Sequence, residues 1–179
     1  MTSIIKVNTI QDVGGNNLLI SNGSGSITTN NIGGQNTPAF LMKLSTNQTI
    51  SNETTTILAF NTVVFDTNTA FDTSNYRFTV PTNHAGKYIF TAKAGYTNPN
   101  NGTGTRYQFS FYKNGSIEDF IGDWSQAQAG SADPTFGHTA CINLSVGDYV
   151  DFRVYQNSGS SEEVQDAWAR FFGYRLIGV

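Results

Sequence analysis

Cysteine is almost missing from this sequence, and charge is scarce. A single thiol, Cys141, stands among 179 residues. That excludes an intramolecular disulfide framework and any zinc site built on several cysteines. Only 13% of residues are charged, about half the usual share. The net charge of −3 lacks the basic footprint of a nucleic-acid binder. No apolar run approaches the roughly 20 residues that span a bilayer, and no apolar export segment follows Met1. Neither nucleic acid nor membrane insertion is therefore expected. The i, i+3, i+4, i+7 pattern of a long helix is also missing, and Ser161 to Trp168 has room for one helical turn at most.

What is present is small and neutral: Asn, Thr, Ser and Gly make up 74 of the 179 residues. The composition breaks near Pro38. Residues 1–37 contain no aromatic side chain and only Lys6 and Asp12 as charges, whereas all 13 Phe, eight Tyr and two Trp follow from Phe40 onward. The first segment has too little apolar mass for a core of its own. It still alternates β-branched residues between Gly-rich turns, so it reads as a β-strand arm or stalk that orders against copies of itself or a partner. Ile5, Val7, Ile10, Leu19 and Ile20 are its candidate anchoring residues.

From Pro38 to Val179 the pattern is strand after strand. Tyr88, Phe90, Ala92 and Ala94 share one face of a strand, while Thr91 and Lys93 take the other. Tyr107, Phe109 and Phe111 alternate with polar residues, as do Val150, Phe152 and Val154. Lys113-Asn-Gly-Ser116 is a hairpin signal, because Asn and Gly tolerate the positive φ of a type I′ turn. The last strand is expected from Trp168 to Val179. Eight to ten short strands make an all-β, antiparallel jelly-roll sandwich over 38–179, preceded by the arm over 1–37.

Several stretches carry a resemblance. Phe65-Asp-Thr67, Phe71-Asp-Thr-Ser-Asn-Tyr-Arg-Phe-Thr-Val-Pro81 and Gly86-Lys-Tyr-Ile-Phe90 follow one another. Phe111-Tyr-Lys-Asn-Gly115, Leu144-Ser-Val-Gly-Asp-Tyr-Val150 and Phe171-Phe-Gly-Tyr174 come next. In this order the region resembles the globular head of complement C1q and the tumour-necrosis-factor-like jelly rolls. The resemblance implies a trimer about a three-fold axis, with ligands met by loops at the far end. No collagen-like Gly-x-y tract precedes the domain, and Ser74-Asn75 stands where the family often has Thr-Gly. The segment from Ser3 to Asp12, with Leu19-Ile-Ser-Asn-Gly-Ser-Gly25, is similar to the opening of small structural proteins of marine tailed phages. That resemblance implies a fibre, spike or decoration protein tethered to a particle.

Chemistry is poorly supported. His138 and Cys141, three residues apart, fall on opposite faces of one strand and form no nucleophile–base pair. Cys141 itself is expected to be a small buried hydrophobe. The run Asp66 to Asp72 lacks the glycine and the closing glutamate of a helix–loop–helix calcium loop, leaving only a loop-bound calcium between subunits as a metal reading. Glu118, Asp119 and Asp123, or Glu162, Glu163 and Asp166, are candidate carboxylates of a sugar-active enzyme, but solvated loop charges explain them better. No catalytic residue, metal ligand or cofactor is assigned. Recognition fits better: Trp124, with Asp123 and Gln126, and Trp168 lie in polar loops suited to stack on a sugar and meet its hydroxyls. Tyr88 and Phe90 are the candidate trimer-interface residues.

These readings converge on a trimeric virion structural protein assembled in the host cytoplasm. The arm docks on other virion proteins, and the knob is displayed for attachment to a host-surface glycan or protein. A cell-derived adhesin of complement-head type is the alternative, and a sugar-active enzyme the third reading.

Overall fold

A computed structural model of the chain describes residues 7–21, 23–24, 27–29, 36–97, 106–124 and 135–177, with the backbone alone at 27–29 and 120–124. Two compact units emerge, one up to Gln35 and one over Asn36–Ile177. In the first, β1 (Thr9–Gln11), β2 (Asn17–Ser21) and β3 (Ile27–Thr29) form an antiparallel sheet in that order. The β1–β2 turn is held by Asp12, whose carboxylate accepts from the Asn16 amide nitrogen and side chain, both at 2.9 Å. Val7, Ile10 and Val13 are exposed and Leu19 and Ile20 half-buried, so the described arm residues bury no core of their own. Ile5 lies outside the described residues.

The second unit begins with β4 (Ala39–Lys43), β5 (Gln48–Ile50), β6 (Thr56–Ile57), β7 (Thr62–Asp66), β8 (Phe71–Asp72) and β9 (Arg77–Thr79). Longer strands follow: β10 (Gly86–Thr97), β11 (Tyr107–Lys113), β12 (Ser116–Trp124), β13 (Thr135–Leu144) and β14 (Tyr149–Gln156), then β15 (Glu162–Val164) and β16 (Arg170–Arg175). The expectation of eight to ten strands undercounts. β5, β6, β8, β9 and β15 are two or three residues each, too short for a period-two pattern to show. No helix occurs among the described residues: Ser161 to Trp168 holds β15 and a turn, and the last strand closes at Arg175.

Two antiparallel sheets result. In the first, β10 has β13 along one side and β16, β4 and β7 in succession on the other, with β15 and β5 added at its far end. The second runs β12-β11-β14-β9-β8, with β6 also on β14. Their facing surfaces form a jelly-roll sandwich, because every long strand sends alternate apolar residues inward. Phe171 is the hub of this core. Its ring lies 5.0–6.4 Å, centroid to centroid, from Phe40, Phe60, Phe71, Phe90, Phe111 and Phe152, which come from both sheets and a connection. Two residues on, Gly173 leaves room for those rings. A Cβ there would stand 2.6 Å from Phe90 and 2.7 Å from Phe40.

The core corrects one expectation. Tyr88 and Phe90 have no exposed surface within the single chain. Phe90 packs on Phe78 and Phe111 of the opposing sheet, and the Tyr88 hydroxyl donates to the His84 carbonyl at 2.5 Å. Burial pushes the Tyr88 phenol up to about 12. Neither side chain has area left to offer a partner subunit.

The end of the sandwich carrying Pro38 and Leu176 is laced by polar turns. Asn114 and Gly115 both have positive φ, 51° and 82°, as the Asn-Gly hairpin requires. Asn114 then reaches across: its side-chain nitrogen donates to Asp148 at 2.8 Å, and its side-chain oxygen accepts from the Tyr149 amide at 3.0 Å. The Lys113 ammonium lies 3.4 Å from Asp148 and donates to the Asn143 carbonyl at 2.9 Å. These bonds, the Asn114 amide first, hold the Asp148 carboxyl below the usual carboxylate range.

Candidate functional site

Recognition surfaces on a sandwich are its outward faces and its loops. On the first sheet, the register lines up two rows of outward side chains. One runs Thr139–Thr91–Phe172–Leu41–Phe65 and the other Cys141–Ile89–Tyr174–Ala39. Phe65 is 40% exposed, with its ring 6.4 Å from Phe172, which lies 5.4 Å from Tyr174. Beside the Tyr174 hydroxyl and the Cys141 thiol, the polar groups of these rows are the Thr91 and Thr139 hydroxyls, which satisfy each other at 2.8 Å. A face that is apolar on both sides of the same strands is not what a solvated sheet shows. Cys141 belongs to this face and is exposed, which overturns its reading as a buried hydrophobe. The parity of β13 sends Ala140 and Ile142 inward and Cys141 out.

The second sheet faces outward with a different chemistry. Arg153 grips Asp151 through two nitrogens at 2.6 and 3.0 Å, and its guanidinium lies 4.1 Å from the Tyr112 ring centre. Asp151, only 1% exposed, is thus paired rather than orphaned. Those hydrogen bonds hold the Arg153 guanidinium above its ordinary value. Arg77 stacks on Tyr149 at 4.2 Å in the same way. Stacked arginine–tyrosine pairs and the Arg153–Asp151 ion pair give this face a polar character.

The predicted recognition residues are only partly placed. Trp124 is the last residue of β12, opposite Tyr107, rather than a loop residue, and Asp123 precedes it on the strand. Their side chains and all of Gln126 lie outside the described residues. Trp168 is half-buried in the turn before β16, with its amide on the Gln165 carbonyl at 3.4 Å.

The candidate carboxylates are mostly occupied. Asp66 accepts from the Ala70 and Phe71 amides at 3.1 and 2.9 Å, and Asp72 from Ser74, Asn75 and the Asn75 side chain at 2.6–3.1 Å. Both spend their oxygens on their own turns. Asp119 lies 3.1 Å from His138 Nε2, and Glu162 is buried, accepting from the Ser158 hydroxyl at 2.7 Å. Among the described residues, no three of His, Cys, Asp and Glu gather as a metal site.

The family model described as the C1q domain matches residues 39–176. This chain belongs to the C1q domain family. C1q domains are typically non-enzymatic binding domains. Among solved structures, the chain is similar to the globular domain of zebrafish complement 1qA protein. The identity is 19% over 78% of this chain and 97% of that one, with a TM-score of 0.54. It is also similar to the Eiger TNF from S. frugiperda, with 12% identity over 79% and 93% and a TM-score of 0.52. At these identities the likeness is one of fold. No curated protein sequence matches the chain.

The family membership recasts the matched motifs. Asp66, Asp72, Asn114, Asp148 and Gly173 each hold a turn or admit a core ring. They mark the fold of a C1q domain, not its ligand.

Proposed function

We propose that this C1q-domain protein is a homotrimeric virion structural protein of a phage, with its knob displayed for attachment to a host surface and its N-terminal arm docked on the particle. The observation that carries the trimer is the outward apolar face of the first sheet, with Leu41, Phe65, Ile89, Phe172 and Tyr174 aligned across four strands. Self-association about a three-fold axis removes that face from water, and C1q-family domains usually form homotrimers. Replacing Tyr88 and Phe90, these five residues are the interface. Attachment rests on the binding character of the family and on loops carried by a rigid sandwich. The particle context rests on the arm, which resembles phage openings and exposes Val7, just before β1, and Ile10 on β1.

Two experiments test this reading. Cys141, the only thiol, lies on the proposed interface, so a thiol reagent should label the assembled protein slowly and label dissociated chains quickly. Equal rates in both states would remove the face from the interface. Particles purified from lysed host cells should contain the chain in multiples of three by quantitative mass spectrometry. Its absence from particles, with recovery from the cell surface or medium, would favour the adhesin.

A further inference from the structure

The Asn114-Gly115 turn that closes the β11–β12 hairpin carries a chemistry as well as a shape. A type I′ turn selects Asn-Gly because both residues take positive φ, 51° and 82° here. The same dipeptide is open to attack from within. Glycine has no Cβ, so its amide nitrogen stands unhindered beside the asparagine side chain. Asn114, Gly115 and Ser116 are all exposed, which gives water access. Among the described residues, the Gly115 amide donates no hydrogen bond that would hold it back.

Asn114 itself is fastened to the start of β14. Its backbone amide donates to the Tyr149 carbonyl at 3.0 Å and its Nδ2 to Asp148 at 2.8 Å, while its Oδ1 accepts from the Tyr149 amide at 3.0 Å. Asp148 is held in turn by the Ser145 amide at 2.8 Å and the Lys113 ammonium at 3.4 Å. Ring closure on Gly115 requires the Asn114 side chain to leave both of its partners. The two side-chain bonds therefore guard the turn against its own chemistry.

We infer that Asn114 is a deamidation site guarded by Asp148, and that its conversion unlaces this end of the sandwich. The Gly115 nitrogen gives its proton to solvent and bonds to Asn114 Cγ. The Cγ–Nδ2 bond breaks, the side-chain nitrogen takes up a proton and leaves as ammonia, and a cyclic imide remains. Water then opens the ring at either carbonyl, leaving aspartate or isoaspartate. Nothing is oxidised or reduced: amide and water become carboxylate and ammonium. Aspartate sets a carboxylate oxygen where Nδ2 stood, 2.8 Å from Asp148, so a hydrogen bond becomes a like-charge contact. Isoaspartate adds a methylene to the main chain and breaks the two-residue turn that fixes the hairpin register. The hairpin belongs to the second sheet, so the site stands apart from the proposed trimer face.

The test keeps the folded full-length chain at mildly alkaline pH and follows aspartate and isoaspartate at position 114 by peptide mapping. The same chain in denaturant gives the unguarded rate, with Asn22-Gly23 and Asn101-Gly102 as internal references. In denaturant the three pairs should convert alike. In the folded chain Asn114 should convert at least about tenfold more slowly than in denaturant, because opening must precede ring closure. Asp148→Ala should speed conversion in the folded chain roughly tenfold. Where that variant fails to fold, Asp148→Asn weakens the acceptor by removing its charge and should speed conversion about 2–5-fold. Asn114→Asp stands for the product with an intact main chain. It should lower the thermal midpoint by about 3–6 °C at neutral pH, and by less once acid protonates the pair.

Equal rates at position 114 in the folded and denatured wild type would overturn the guard. So would an unchanged rate in a folded Asp148 variant. A folded Asp148→Ala chain that forms neither product at 114, while the denatured chain converts, would remove the site altogether. An unshifted midpoint in Asn114→Asp would overturn the unlacing.

Discussion

The two sheets share one core, yet their outward faces differ in kind. The second sheet turns Arg77, Tyr112, Tyr149 and Arg153 outward in stacked pairs, with Asp151 buried beneath its arginine. The first turns out Leu41, Phe65, Ile89, Phe172 and Tyr174. A face that resolves its own polar groups is finished as it stands. A face that leaves aromatic rings in water is finished by something else. In the proposed function the first sheet's outward face is the one that associates, and the second sheet's paired groups serve stability.

Substitutions at neighbouring positions break the comparison most sharply. Phe171 and Phe172 are adjacent on β16 and point to opposite sides. Phe171→Ala should cost about 3–5 kcal/mol, because six rings lose their common neighbour and the cavity cannot close. Chemical denaturation should register that as a large fall in midpoint, with both faces lost together. Phe172→Asp should leave the monomer's denaturation midpoint nearly unchanged. It should weaken self-association at least a hundredfold, about 2.7 kcal/mol, in a sedimentation titration.

A smaller effect is expected on the other face. Arg153→Gln leaves the Asp151 carboxylate buried without its cation, at a cost of about 2 kcal/mol in denaturation. The mass in solution should stay that of the assembled protein. Dissociation on Arg153→Gln would mean that the second face also makes contacts between copies.

The smallest expected effect is acid sensitivity, and it belongs to the turns. Hydrogen bonds from Asn114 and Asn75 hold the Asp148 and Asp72 carboxyls below their ordinary value of 3.8. Their stabilising contribution is complete above that value and is lost as pH falls through the lower, folded-state values. The thermal midpoint should therefore drop below about pH 4, and Asn114→Ala should flatten the drop. An unaltered profile in that variant would show that Asp148 draws nothing from Asn114.

How far the sequence was legible follows the same division. Period-two alternation identified the inward residues of β10, β11 and β14, and the Asn-Gly hairpin formed as its φ preferences require. Alternation separates two faces of a strand but does not say which is covered when both are apolar. Phe171-Phe172 is such a case, and placing the interface on Tyr88 and Phe90 put the core and the contact on one face. The signal for the proposed interface is the outward parity of Ile89, Phe172 and Tyr174, one step along the strands from Tyr88 and Phe90. Cys141 was misread the same way, since its apolar neighbours Ala140 and Ile142 take the inward positions. The Arg–Tyr stacks carry no local signature. Arg77 and Tyr149, like Tyr112 and Arg153, are far apart along the chain and meet only through strand pairing.

Sedimentation of the full-length protein across a micromolar concentration range tests the account most directly. A species of three times the 19.5 kDa chain mass, lost in Phe172→Asp and retained in Arg153→Gln, is the predicted result. A monomer of 19.5 kDa at every concentration would contradict it, leaving the first sheet's outward face without the partner proposed for it.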